Sequence, residues 1–306
     1  MSELTRVAHI FPGQGAQWVG MGQDLYAGSA AAKAVFDQAD EALGFSLSRL
    51  CFEGPEDELR LTINAQPAIL TASYACLVAA RESHKLPAAA FVAGHSLGEY
   101  TALAAANALD FTTTVRLARE RGRLMYEAGL VKPGGMAAVL GLDEAILAEV
   151  CRETDTTIAN YNCPGQLAIS GASANIAKAS ELAKARGAKV IPLAVSGAFH
   201  SPLMKSAVAG MTEVLANVSF RDPVVPVIAN TTARPLTTAR EIKTELLDQL
   251  SNSVRWQRSV EYMIDNGVTT FIEIGPGKVL SSMIKRIKRD AAILNISDLE
   301  TIRNLP

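Results

Sequence analysis

The chain has 306 residues, of which 49% are hydrophobic and 20% are charged. This is an ordinary globular composition, and the length is enough to bury a large core. A formal net charge of −2 excludes the strong basic field with which proteins hold nucleic acid or an anionic membrane. The start resembles no signal peptide, no run of consecutive apolar residues approaches the ~18 that a membrane span needs, and the four cysteines form no C-x-x-C pair. We therefore expect a cytoplasmic protein with reduced thiols.

The first part of the chain alternates predicted strands and helices, which is typical of an α/β fold with a parallel sheet. An apolar strand at 6–11 leads into a glycine-rich turn at 12–17. Apolar residues at helical spacing predict helices, and a short apolar run predicts a strand covered on both faces. The helices are predicted at 29–44, 63–83 and 97–110, and the covered strand at 88–94.

A different pattern occupies residues 133–196. It reads strand, helix, strand, strand, helix, strand, with the elements at 136–141, 143–154, 156–162, 166–171, 174–187 and 188–195. This order is typical of a small ferredoxin-like domain. Because strand–helix units resume at 220–230 and 269–287, we predict that this domain is inserted into a large α/β domain formed by 1–132 and 197–306.

The stretch FVAGHSLGEY places Ser96 at the centre of a Gly-x-Ser-x-Gly pattern between a predicted strand and a predicted helix. A serine on such a turn is exposed for nucleophilic attack. The N–H of Leu97, at the start of the helix, is placed to stabilise an oxyanion. The alternative is a turn of small residues that only lets the helix pack closely on the strand.

A nucleophilic serine needs a base, and the chain has four histidines. His9 lies within the first strand, His84 lies in a polar helix end, and the His95 side chain should point away from its neighbour Ser96. His200 lies where the small domain returns to the large one, and clefts between domains are common sites. By elimination His200 is the candidate base, with a structural histidine at the junction as the alternative. No histidine follows it, which disfavours an ordinary esterase, whose histidine comes late in the chain.

Arg121 lies on the apolar face of the predicted helix 111–129, in line with Leu117 and Leu124. The neighbouring charged residues instead pair with one another at helical spacing, as on an exposed face: Arg116, Glu120, Arg123 and Glu127. A guanidinium on an apolar face needs a partner, and a carboxylate bound by two N–H groups matches it best. The partner is either an internal Asp or Glu or the carboxylate of a ligand.

Two other motifs do not complete a nucleotide site. The turn at 12–17 lacks the third glycine of a dinucleotide fingerprint, because Trp18 takes that position, although its N–H groups can still serve an oxyanion. EIGPGKVL has neither the spacing nor the hydroxyl residue of a P-loop. No His, Cys, Asp and Glu residues show metal-ligand spacing, so we expect no metal.

Seven motifs then occur in the order seen in malonyl-CoA:acyl carrier protein transacylases. They are FPGQGAQ, NAQPAI, GHSLGEY, RGRLM, NCPGQLAISG, GAFHS and IEIGPGKVL. The resemblance covers essentially the whole chain. It implies an α/β-hydrolase-like large domain with a parallel sheet and a ferredoxin-like insert. It also implies that malonyl passes from malonyl-CoA to the phosphopantetheine thiol of acyl carrier protein, with no cofactor bound by the enzyme.

The resemblance implies roles for five residues at the reacting bond. Ser96 resembles the nucleophile that carries malonyl as an ester, and His200 resembles its general base and then acid. The N–H groups of Gln14 and Leu97 resemble the oxyanion hole. A backbone carbonyl orients the histidine in this family, and Gln249 is the closest match, although a carbonyl a few residues later could serve.

The resemblance also implies how the acyl group is selected. Arg121 would hold the free carboxylate of malonyl, and Phe199 resembles the bulky residue that leaves no room for an α-methyl group. Core packing is the alternative for Phe199.

The basic run at 285–289 either attracts an acidic carrier protein or forms a solvated helix face. We expect a monomer.

Several other functions are compatible with the sequence. Residues 16–18, Ala-Gln-Trp, match a variant also found in polyketide acyltransferases, so a polyketide enzyme is the alternative to fatty acid synthesis. A serine hydrolase or thioesterase, and a catalytically inactive module that binds carrier protein, belong to other classes. The absence of a late histidine disfavours the hydrolase, and the presence of both Ser96 and His200 disfavours the inactive module.

Overall fold

The computed structural model describes residues 6–305. Within that range the strands are β1 (Arg6–Phe11), β2 (Ala89–Gly94), β3 (Gly134–Leu140), β4 (Thr157–Cys163), β5 (Gln166–Ala172), β6 (Lys189–Pro192), β7 (Val227–Ile228), β8 (Pro235–Leu236), β9 (Val268–Ile274) and β10 (Ala292–Ile296). The helices are α1 (Gln23–Gly28), α2 (Ala30–Leu43), α3 (Leu47–Glu53), α4 (Glu56–Arg60), α5 (Thr62–Glu82), α6 (Gly98–Ala105), α7 (Phe111–Val131), α8 (Glu144–Thr154), α9 (Ser173–Ala185), α10 (Lys205–Ala216), α11 (Ala239–Ser251), α12 (Trp256–Asp265), α13 (Val279–Ile287) and α14 (Leu299–Arg303). A short 3₁₀ helix spans Pro202–Met204.

The larger sheet has the order β10-β9-β1-β2-β7-β8 and is parallel except for β8. Its central strands are buried along most of their length, as expected for a parallel sheet with helices on both faces. The last paired residues of β1 and β2 are Phe11 and Gly94. The glycine-rich turn after β1 and the Ser96 turn after β2 therefore leave the sheet side by side, at the carboxyl edge where α/β folds bind ligands.

The smaller sheet has the order β4-β5-β3-β6, and every neighbouring pair is antiparallel. With α8 and α9 packed on it around Leu147, Val150 and Ile169, it has the predicted ferredoxin-like order of elements. These elements run from residue 134 to residue 192, inside the predicted insert. The α/β fold class with two sheets is confirmed, whereas the domain boundaries at 132/133 and 196/197 stay a prediction.

Backbone hydrogen bonds join the smaller sheet to the segment between α11 and α12. The Tyr161 N–H, on β4, donates to the Val254 carbonyl at 2.9 Å, and the Val254 N–H donates to the Ala159 carbonyl at 2.8 Å. The edge strand of the small sheet is thereby paired with the segment that follows α11. Because α11 carries Gln249, the smaller sheet buttresses the segment that positions the predicted base.

The helix predicted at 97–110 is shorter than expected. α6 ends at Ala105, Asn107 adopts a left-handed conformation with φ 57°, and α7 begins at Phe111. The Asp110 side chain accepts a hydrogen bond from the Thr113 N–H at 2.8 Å, which makes it the N-cap of a new helix. The alanine-rich composition favours helix throughout, but the cap at Asp110 begins a second one.

Among the helices of residues 6–305, α5 alone is long and apolar enough to cross a membrane, and most of that stretch is buried inside the protein. It packs between α2 and α7 as a core helix. The four cysteines are free thiols with buried side chains.

Candidate active site

The turn that carries Ser96 is held in a strained conformation by close packing. Ser96 has φ 52°, a left-handed conformation that serine rarely adopts. A Cβ on Gly94 would lie 1.9 Å from the backbone carbon of Gly98, and a Cβ on Gly98 would lie 2.1 Å from the Phe11 carbonyl oxygen. Both glycines are therefore required for the helix to approach the strands. The close-packing interpretation and the nucleophile interpretation of this motif are compatible.

Asn230, just after β7, fixes the same turn from the neighbouring strand. Its Oδ1 accepts a hydrogen bond from the Ser96 N–H at 2.7 Å, and its Nδ2 donates to the Gly94 carbonyl at 2.7 Å. The Asn230 side chain is buried, so it satisfies two backbone groups that water does not reach.

Ser96 and His200 are brought into direct contact. Ser96 Oγ lies 2.8 Å from His200 Nε2, and His200 Nδ1 lies 2.8 Å from the Gln249 carbonyl oxygen. A carbonyl only accepts, so Nδ1 carries the proton and Nε2 is left to accept the serine proton. The Gln249 carbonyl lies against the ring, and the backbone of Asn252, three residues later, also raises the pKa of the imidazole.

The environment of His200 keeps its imidazole neutral. Burial, and after it the positive charge of Arg121, lower its pKa from the ordinary 6.5 to about 3, although the bond to the Gln249 carbonyl opposes the shift. At neutral pH the ring is therefore unprotonated, which is the form that a general base requires.

Two residues that line the cavity have backbone N–H groups without partners in the described part of the chain. Within residues 6–305, neither the Leu97 N–H nor the Gln14 N–H donates a hydrogen bond, and both residues line the same cavity as Ser96. The glycine-rich turn lies against the turn that carries Ser96, which we call the elbow. A Cβ on Gly13 would be 2.3 Å from the His95 carbonyl oxygen. The Gln14 side chain is fixed by the Thr62 hydroxyl, which donates to its Oε1 at 2.8 Å.

Arg121 is almost fully buried, with 1% of its surface exposed. Its Nη1 donates to Gln66 Oε1 at 2.7 Å, and its Nη2 donates to Gln249 Oε1 at 2.6 Å and to Ser96 Oγ at 3.0 Å. In residues 6–305 no carboxylate oxygen lies within 4.0 Å of its nitrogens, and its Nε has no partner. The alternative of an internal ion pair is therefore wrong. Arg121 is a buried cation beside the serine hydroxyl, held by neutral oxygens.

The site opens into a cavity of about 490 Å³ between the two sheets. Six predicted residues line it: Gln14, Ser96, Leu97, Arg121, Phe199 and His200. Gln249 lies behind the cavity wall. On the described residues, no group of three His, Cys, Asp or Glu side chains is placed to hold a metal ion.

The other three histidines lie in the positions predicted for them, away from Ser96 Oγ. His9 is buried in β1, its Nε2 3.0 Å from the Pro87 carbonyl oxygen, and His84 is exposed. The His95 ring turns from the serine to the smaller sheet, where its Nε2 lies 2.9 Å from Asn162 Oδ1.

Sequence reasoning missed Asn230 and gave no role to Gln66 or to the Gln249 side chain. Gln66 belongs to a motif that carried the resemblance, but its buried amide on Arg121 becomes apparent only in three dimensions. Asn230 is 134 residues from Ser96 along the chain and follows a strand of two residues, too short to give a periodic signal.

Comparison with known proteins places this geometry in a family. The acyl transferase domain family matches residues 8–303. The chain belongs to this family. It is 49% identical over 305 residues to the malonyl CoA-acyl carrier protein transacylase of Bacillus subtilis, covering 98% of this chain and 96% of that relative. The resemblance predicted from the seven motifs is confirmed, and the chain is an acyltransferase.

Solved structures agree with this assignment. The acyl-carrier-protein-S-malonyltransferase of Bartonella henselae superposes with a TM-score of 0.95 at 41% identity, over 98% of both chains. A malonyl-transacylase in complex with a type II polyketide acyl-carrier protein superposes with a TM-score of 0.94 at 37% identity, over 98% of this chain and 99% of that one.

Proposed function

We propose that this acyltransferase moves the malonyl group from malonyl-CoA to the phosphopantetheine thiol of acyl carrier protein through a malonyl ester on Ser96. The observation that carries the proposal is Arg121, a buried guanidinium that has no carboxylate partner among residues 6–305 and whose Nη2 lies 3.0 Å from Ser96 Oγ. A free carboxylate at the end of the acyl group supplies the missing counter-charge next to the nucleophile. The names of the relatives support the same substrates.

In the first half of the reaction, Ser96 Oγ attacks the thioester carbonyl while His200 Nε2 takes its proton. The N–H groups of Leu97 and Gln14 receive the oxyanion that forms. When the intermediate collapses, the carbon–sulfur bond breaks and the CoA sulfur takes the proton from Nε2. A general base contributes about 10²–10⁴ in rate and one oxyanion donor about 10²–10³.

In the second half, the carrier thiol enters the same cavity and gives its proton to His200 Nε2 as it attacks the ester carbonyl. The ester bond breaks, and Ser96 Oγ recovers the proton. The neutral imidazole suits both halves, because it must accept a proton at the start of each. No bound cofactor is required, since CoA and phosphopantetheine arrive as parts of the substrates.

The donors around Arg121 account for the selection of a carboxylated acyl group. Its Nε–H has no partner in residues 6–305, and its Nη2 reaches Ser96 Oγ. A malonyl carboxylate that enters beside Ser96 takes these donors. Phe199 lines the same cavity with its ring buried, and we propose that it excludes an α-methyl group.

We further propose that the reaction supplies fatty acid synthesis. The enzyme would act as a monomer in the cytoplasm and bind no nucleic acid. A polyketide pathway is the second candidate, because one similar structure holds a polyketide carrier protein. Purified fatty acid and polyketide carrier proteins, compared as acceptors, decide between them. The basic run at 285–289 does not distinguish the two carrier proteins, because two of its side chains have partners within the chain. Lys285 donates to the Ala291 carbonyl at 2.8 Å, and Arg286 donates to the Pro164 carbonyl at 2.8 Å.

The experiment that tests the proposal compares malonyl and acetyl transfer to acyl carrier protein in the Arg121→Ala variant. Two charge-assisted hydrogen bonds contribute about 3–6 kcal/mol, so we expect malonyl transfer to fall at least about 100-fold while acetyl transfer is kept or raised. Arg123→Ala is the matched control, since Arg123 lies on the same helix in exposed ion pairs with Glu120 and Glu127. Equal loss for both acyl groups contradicts the assignment of Arg121. Release of malonate to water, with none on the carrier, indicates the hydrolase alternative.

A further inference from the structure

Glu99 is a buried carboxyl group to which the proposed reaction gives no role. It lies in the first turn of α6, three residues after Ser96, and none of its surface is exposed. It does not line the cavity. One of its oxygens, Oε2, accepts a hydrogen bond from Gln249 Nε2, and the other has no partner within residues 6–305.

The Gln249 side-chain amide connects Glu99 to Arg121. Gln249 Nε2 donates to Glu99 Oε2 and to the Ser96 carbonyl oxygen, the latter at 3.0 Å. Both N–H groups of the amide are thereby used on acceptors. The amide oxygen is left facing Arg121 Nη2, from which it accepts at 2.6 Å.

The reversed orientation of this amide is unfavourable because of Glu99. A flipped Gln249 would turn its oxygen toward two acceptors and its N–H groups toward the guanidinium. Without Glu99, one of the two acceptors that oppose the flip would be lost. A flipped amide would remove one of the three neutral oxygens that hold Arg121, and those of Gln66 and Ser96 would remain.

We propose that Glu99 is a positioning residue that acts through the Gln249 amide to hold Arg121 in place for the substrate carboxylate. It thereby sets the preference for carboxylated over uncharged acyl groups. This inference rests on the proposed function, because it concerns the same guanidinium.

The indirect connection has a physical advantage over an ion pair. A carboxylate in direct contact with Arg121 would take the donors that the substrate needs, whereas an amide between the two groups holds the guanidinium and leaves donors free. Burial and the nearby Glu245 also raise the pKa of the Glu99 carboxyl well above its usual range. Glu245 is itself buried and accepts a hydrogen bond from the Thr231 N–H at 2.9 Å. A neutral Glu99 leaves the charge of Arg121 for the substrate, and its carbonyl oxygen accepts from Gln249 in the observed orientation of the amide.

The test compares Glu99→Ala with Glu99→Gln, and the measured quantity is the ratio of kcat/KM for malonyl-CoA to kcat/KM for acetyl-CoA. Glu99→Ala removes the acceptor, so we expect the ratio to fall at least about tenfold, mainly through a higher KM for malonyl-CoA. Glu99→Gln keeps an oxygen for Gln249, so we expect a ratio within about twofold of the unchanged enzyme. An unchanged ratio in Glu99→Ala, with both activities reduced equally, overturns the proposal, as does a Glu99→Gln variant as impaired as Glu99→Ala.

A second variant keeps the test decisive if Glu99→Ala does not fold. Gln249→Leu removes the amide but keeps the backbone carbonyl on His200, and we expect the same fall in the ratio. No fall in Gln249→Leu overturns the proposal. If the unchanged enzyme does not transfer malonyl to the carrier, the proposed function itself has failed. If it prefers malonyl and the variants keep that preference, only the role of Glu99 has failed.

Discussion

The rate of serine acylation should be nearly independent of pH between 8 and 5. The base must be neutral, and burial together with the charge of Arg121 lowers the pKa of His200 to about 3. With that pKa about 99% of the imidazole is neutral at pH 5, whereas a histidine with the ordinary pKa of about 6.5 would be only about 3% neutral. The structure therefore predicts a flat profile where an ordinary histidine gives a loss of about 30-fold.

The assay is kcat/KM for malonyl-CoA across this range, because this parameter reports the pKa values of the free enzyme. A fall with a midpoint near 6.5 would refute the account of the His200 environment. Arg121→Ala, followed with acetyl-CoA, provides the internal comparison. Removing a positive charge raises the pKa of His200, so the variant binds the inhibitory proton at a higher pH and its rate should decline earlier on acidification.

Two further variants test the elbow and the acyl pocket. Asn230→Ala leaves the Ser96 N–H and the Gly94 carbonyl unpaired in a buried setting, at about 1–3 kcal/mol each. Urea titration should show a free energy of unfolding lower by about 2–6 kcal/mol, with slower malonyl transfer, and an unchanged unfolding curve would contradict the role of Asn230. Phe199→Ser should raise methylmalonyl transfer relative to malonyl transfer by about tenfold, since one methyl group in a fitted pocket is worth about 1–3 kcal/mol. A competition assay with both CoA esters that gives an unchanged ratio would indicate that Phe199 is only a packing residue.

Local patterns in the sequence predicted the parts of the fold and site that depend on neighbouring residues. The elbow could be predicted because the strand, the turn and the helix around Ser96 are contiguous. The burial of Arg121 followed from helical periodicity, since it shares a face with Leu117 and Leu124. His200 could be selected because histidines are few and only one lies at the predicted domain junction.

The rest depended on contacts that sequence does not encode locally. Every residue has a backbone carbonyl, so no sequence pattern distinguishes that of Gln249, and only the family resemblance indicated it. Glu99 stood in a motif already explained by Ser96, and its partner is 150 residues away. The end of α6 was mispredicted because the alanines at 106 and 108 favour helix beyond Ala105, where the chain instead turns at Asn107.

The proposed reaction requires Ser96 to carry malonyl between two thiols. Mass spectrometry after brief exposure to malonyl-CoA, followed by addition of acyl carrier protein, detects this intermediate and its transfer. We predict a malonyl adduct on the peptide that contains Ser96, lost when the carrier is added as malonyl appears on the carrier. An adduct on another residue, or malonyl recovered only as free malonate, would contradict the account.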